Sequence, residues 1–103
     1  MERYSNNIVI NLLKNYTALT GTSEDMIVVK LDLDKALRSL DNYSKRLYSA
    51  VTTVYVTHNS IELEAKLQGV SVRQIDRRLK DAIHLLTLFM NGDFFYEPIR
   101  RIK

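Results

Sequence analysis

The chain has 103 residues, 46% of them hydrophobic and 26% charged. That is the balance of one ordinary globular domain with a single modest core. It contains no cysteine, which excludes a disulfide scaffold and thiolate metal sites and fits a reducing compartment. Fifteen basic against twelve acidic residues leave a net charge of +3. So mild an excess identifies no polyanionic partner; its distribution has to.

Three glycines and one proline are too few breakers for strands joined by tight turns, so long helices with few connections are expected. No apolar run approaches the roughly 20 residues that span a bilayer. The start, Met1-Glu2-Arg3-Tyr4, carries an acid and leads into Ile8-Val9-Ile10-Asn11, without the apolar run of a signal peptide. The expected location is the cytoplasm, away from any membrane.

Ile8, Leu12, Tyr16 and Leu19, widened by Val9 and Leu13, predict an amphipathic helix from about Ser5 to Leu19. Gly21-Thr22-Ser23 breaks it and marks the best candidate for a loop. The apolar stretch Met26 to Leu31 is compatible with a short extended piece or with a helix entry. From Asp32 the pattern is helical through Leu33, Ala36, Leu37 and Leu40, with Asp32 or Asp34 as its expected N-cap. Asp41-Asn42 reads as a second cap. Tyr43, Leu47, Ala50, Val51 and Val54 then predict a helix to about Val56. The β-branched run Val51 to Val56 makes a strand the lesser alternative there.

Thr57-His58-Asn59-Ser60 punctuates the chain, and Asn59 with Glu62 has capping-box spacing. A short helix is expected from Ser60 to Gln68, followed by the turn Gly69-Val70-Ser71. Ser71 with Gln74 repeats the capping-box spacing. Val72, Ile75, Leu79, Ala82, Ile83, Leu86 and Phe89 then keep a helical rhythm that stops at Asn91-Gly92. The division expected from this pattern is an N-terminal helix and connecting loop over 1–31, a helix-turn-helix domain over 32–90 and an aromatic, basic tail over 91–103.

Charge is concentrated in one place. Between Ser71 and Lys80 lie Arg73, Arg77, Arg78 and Lys80 against the single acid Asp76. A helix N-terminus attracts phosphate, arginine can read guanine and glutamine can read adenine. A short helix, a glycine-containing turn and a longer basic helix make a helix-turn-helix, whose second helix enters the major groove. The DNA-binding residues expected on this pattern are Ser71, Arg78 and Lys80 for phosphates and Arg73, Gln74 and Arg77 for bases.

The segment Asn59 to Ile83, NSIELEAKLQGVSVRQIDRRLKDAI, resembles region 4 of the sigma-70 family of bacterial transcription factors and the small phage-encoded regulators built on it. Ala65, Gly69-Val70-Ser71, Ile75, Arg77-Arg78-Leu79-Lys80 and Ala82 carry the resemblance, which extends over about Asp32 to Phe89. It implies an all-α fold of four to five helices: a three-helical core with a C-terminal helix-turn-helix, plus an N-terminal helix. It also implies a regulator of transcription in a bacterial host cell that binds double-stranded DNA, RNA polymerase or both. Glu64 and Gln68 depart from the pattern, standing where the family usually places apolar residues. Leu63 and Leu67 are expected to take over the packing and rotate that helix.

A homodimer is the expected way to enlarge the small interface of one motif. No P-loop or Ser-His-Asp pattern is visible, and His58 and His84 lie too far apart in sequence to argue for a metal site, so neither an enzyme nor a cofactor is expected. Phe94-Phe95-Tyr96 reads as a hydrophobic cap over the helices, or as a partner-binding patch rimmed by Arg100, Arg101 and Lys103.

Overall fold

A computed structural model describes residues 4–18 and 24–92. Among them are five α-helices and no strand. They are α1 (Asn6–Lys14), α2 (Glu24–Tyr43), α3 (Lys45–Val51), α4 (Ile61–Gln68) and α5 (Val72–Met90). The all-α expectation of four to five helices holds. None of the described helices is long and apolar enough to cross a membrane.

α5 lies at the centre and packs against each of the other four helices. Its periodicity is the reason. Ile75, Leu79, Ala82, Ile83, Leu86, Phe89 and Met90 fall on one stripe and are all buried. Fully burying an Ile, Leu or Phe side chain contributes about 1.5–3 kcal/mol, so this one face supplies a large share of the core. The capping box is present as expected. Ser71 Oγ accepts from the Gln74 N–H, and Gln74 Oε1 accepts from the Ser71 N–H, both at 3.2 Å. Val72 departs from the expected stripe, because the first residue after the cap points outward and is 43% exposed.

The N-terminal helix is shorter than its periodicity predicted. α1 ends at Lys14, and Tyr16–Ala18 forms a single 3₁₀ turn. Its inner face is Val9 and Leu13, fully buried, whereas Ile8 is largely exposed. The residue before the helix is stitched to the far end of α5. The Tyr4 N–H donates to Asn91 Oδ1 at 2.9 Å, and Asn91 Nδ2 donates back to the Tyr4 carbonyl at 3.0 Å.

Met26 to Leu31 is helical, so α2 runs unbroken through positions 31 and 32. Asp32 and Asp34 are therefore not caps. They sit inside a helix and serve as acceptors for tyrosines of the N-terminal segment. The Tyr4 hydroxyl donates to Asp32 Oδ2 at 3.1 Å and the Tyr16 hydroxyl to Asp34 Oδ1 at 2.6 Å. Lys30 completes the second contact, 3.2 Å from Asp34 Oδ2 and above the Tyr16 ring.

Asp41 and Asn42 do not cap α3 either. Ser44 is the single residue between α2 and α3, and its Oγ accepts from the Leu47 N–H. Asp41 pairs with Lys45 instead, at 3.1 Å. The β-branched run beyond Val51 stays helical but widens into a π-helical turn, Thr52–Val56. There the Thr57 N–H reaches five residues back to Thr52, while Thr52 Oγ1 donates to the Tyr48 carbonyl. Crowded β-branched side chains and threonine back-bonding both loosen the regular ladder. Leu19, the Gly21 loop and the tail from Asp93 onward lie outside the described residues.

The Tyr16 contact has a pH signature. The hydrogen bond to Asp34, then burial and the Asp34 charge, raise the Tyr16 pKa above its ordinary 10.0. The hydrogen bond to Asp34 likewise raises Lys30. Both shifts favour the protonated form in the folded state. Their contribution is therefore complete below the unfolded pKa and is lost as pH climbs through the raised values. Denaturant titrations at rising pH should show wild-type stability falling above about pH 10. In Tyr16→Phe the fall should be shallower, starting from a lower plateau. An identical alkaline limb in both proteins would remove Tyr16 as its source.

Candidate nucleic-acid interface

Two helices joined by a short turn, α4 and α5, form where the sequence predicts them. α4 is capped by Ser60, whose Oγ accepts from the Leu63 N–H at 3.0 Å. Asn59, expected as the cap, instead hydrogen-bonds Thr57. α4 ends at Gly69, which adopts φ 71° as its left-handed C-cap. That conformation is strained for residues with a Cβ, so glycine suits the turn. Val70 and Ser71 follow, and α5 starts from the capped Ser71.

How α4 and α5 are held together differs from the expectation. Leu63 and Leu67 do not take over the packing: they are 41% and 68% exposed. Glu64 is fully buried beside Ala65. Helix geometry explains the choice. Ala65 fills the close approach to α5, and position 64 shares its face more nearly than 63 or 67.

A buried carboxylate needs partners; α3 and α4 supply them, and α5 joins through Gln68. Ser49 of α3 donates to Glu64 Oε2 at 2.6 Å. Gln68 Nε2 donates to the same oxygen, and Arg78 Nη1 of α5 donates to Gln68 Oε1. Gln68 Nε2 also reaches the Arg46 carbonyl of α3 at 3.1 Å. Glu64 Oε1 has no hydrogen-bond partner among the described residues. The residues that looked like departures from an apolar pattern thus form a polar bridge through Gln68, whose amide both donates and accepts.

The bridge rearranges the expected DNA-binding set. Arg78 is half-buried and tied to Gln68, so it stands partly inside the motif. Ser71 and Gln74 are exposed but bonded to one another in the capping box. Lys80 lies 3.5 Å from Asp76, and both are exposed. Such a solvated pair is worth little and leaves the lysine available. Arg73 and Arg77, one turn apart on the same helix, are exposed and form no ion pair with any described residue.

The fold brings in a residue that the sequence reading missed. Arg46, in the first turn of α3, lines a groove of about 390 Å³ together with Arg77 and Arg78. No local signal marks Arg46, because its position depends on how α3 crosses α5. His58 occupies an exposed bend with φ 60°, and His84 lies on α5.

The bridge makes a stability prediction. Gln68→Leu removes the shared partner of Glu64 and Arg78 and should cost about 1–3 kcal/mol by denaturant unfolding. The triple replacement Glu64→Leu, Gln68→Leu, Arg78→Met takes away the buried polar groups together and should recover most of that loss. A triple variant less stable than the single one would show that the bridge itself carries stability.

No protein-family model, curated protein or solved structure matches the chain.

Proposed function

We propose that this protein is a DNA-binding regulator of transcription that lays the N-terminal half of α5 in the major groove. The observation that carries the reading is the exposed pair Arg73 and Arg77 on the first two turns of a long capped helix, with no described acid paired to either. Arginine presents paired donors that match guanine, and the free N–H groups at the start of the helix favour phosphate nearby.

In this reading Arg73 and Arg77 touch base edges, and Ser71, Arg78 and Lys80 meet phosphates. Gln74 plays a narrower part. Its Oε1 is engaged by the Ser71 N–H, so only its amide N–H group is available while the box is closed. Bidentate recognition of adenine by Gln74 would require the box to open.

A second reading is favoured by Leu63 and Leu67, apolar side chains that α4 leaves to solvent one turn apart. In that reading the motif is a scaffold that binds RNA polymerase or another regulator, with no DNA contact of its own.

Salt separates the two. Fluorescence anisotropy with a random duplex at about 50 and 200 mM salt should show affinity falling by roughly two to three decades, the loss for about four to six phosphate contacts. On a selected operator, Arg77→Ala should cost about 1–3 kcal/mol and relax sequence preference, while Lys80→Ala should weaken all sequences alike. Undetectable binding at low salt would overturn the first reading and favour the second. Uniform losses on every sequence for both variants would overturn the base-contact role of Arg77.

A further inference from the structure

We infer that the groove between the first turn of α3 and the first half of α5 seats a phosphate of the DNA backbone, with Arg46 as the contact contributed from outside the α4–α5 pair. The inference rests on the reading of α5 as the DNA-facing helix.

One wall of the groove carries Ser44 and Arg46, and the opposite wall Gln74, Arg77, Arg78 and Asp81. Three arginines and one aspartate therefore line one open groove of about 390 Å³. Walls of low dielectric concentrate such a field. Arginine's fork of donors matches the oxygens of a phosphate.

The neighbouring cations sharpen the contrast. Lys45 is paired with Asp41 and Lys80 with Asp76, whereas Arg46 and Arg77 form no ion pair with any described residue. Asp81 is the single acid that lines the groove with the three arginines, and a phosphodiester would add a second anionic partner for Arg46 and Arg77.

The two walls are also held in register. Gln68 bonds the Arg46 carbonyl on one side and the Arg78 guanidinium on the other. One side chain thus links the backbone of one wall to an arginine of the other before any ligand arrives, which lowers the cost of ordering on binding. A helix lying in the major groove has a phosphate backbone along each flank. Beside α5, Arg46 is placed to meet one of them.

The test uses the full chain and a random-sequence duplex, with anisotropy across about 50 to 200 mM salt. It compares wild type, Arg46→Gln, Arg46→Lys and Arg38→Gln. Arg38 is an exposed arginine of α2 and supplies the charge-matched control. Arg46→Gln should weaken binding to all sequences and lower the slope of log affinity against log salt by about one. Arg46→Lys should restore most of that slope, and Arg38→Gln should leave it unchanged. Thermal melting of each variant separates these effects from unfolding, and if Arg46→Gln does not fold, the charge-removing Arg46→Met is read for the same drop in slope.

If wild type binds with a steep salt dependence and Arg46→Gln keeps the same slope, the phosphate seat is overturned while the reading of α5 stands. An equal loss in Arg38→Gln overturns it too, since that is a general charge effect. A wild-type protein that does not bind DNA overturns both.

Discussion

The apolar face of α5, from Ile75 to Met90, is the surface on which the rest of the molecule is assembled. All four other helices pack on it, and its residues include Ile75, Leu86 and Phe89, which have almost no exposure to solvent. Burial is non-directional and scales with area, so it fixes which face of α5 is hidden without fixing how each neighbour crosses it. The crossings are set by shorter-range contacts: the Tyr4–Asn91 stitch for the N-terminal segment, Tyr16 and Asp34 for the turn after α1, and Ser44 for the junction of α2 and α3. The same burial fixes the opposite face, because every residue of α5 not turned inward is presented outward together.

Between α4 and α5 the directional contact is the Gln68 bridge. Most two-helix contacts are stabilised by apolar packing, which tolerates small rotations. A network in which Ser49, Glu64, Gln68 and Arg78 each depend on specific partners is less tolerant, since a misplaced partner leaves a buried polar group unpaired. The bridge therefore adds definition to the angle between α4 and α5 more than it adds stability. It also explains why α4 can leave Leu63 and Leu67 in solvent, since the helix is held by its polar side.

The electrostatic layout follows from the same arrangement. Lys30, Lys45 and Lys80 sit one turn from Asp34, Asp41 and Asp76, the i and i+4 pairing that helices favour. Arg78 is drawn into the bridge. Among the cations without a described ion pair, Arg46 and Arg77 line one groove where α3 passes the first half of α5, and Arg73 is exposed one turn before Arg77. A net charge of +3 thus understates the local field, because three arginines share this groove with the single acid Asp81.

Sequence alone determined the elements that depend on neighbours a few residues away. The helical period of α5, its Ser71–Gln74 box, its end at Asn91-Gly92 and the glycine turn before it were legible because caps, turns and amphipathic stripes are local chemistry. So was the all-α class. Less legible were the features that depend on contacts between segments. Asp32 and Asp34 have the chemistry of caps, and only the approach of Tyr4 and Tyr16 makes them mid-helix acceptors. Glu64 and Gln68 read as misfits in an apolar pattern, and only the arrival of Ser49, Arg46 and Arg78 from other helices makes a buried carboxylate tenable. Arg46 carried no signal at all, since a residue joins a groove by virtue of what lies opposite it. Local free energies are written along the chain; pairings between distant segments are decided by how the helices cross.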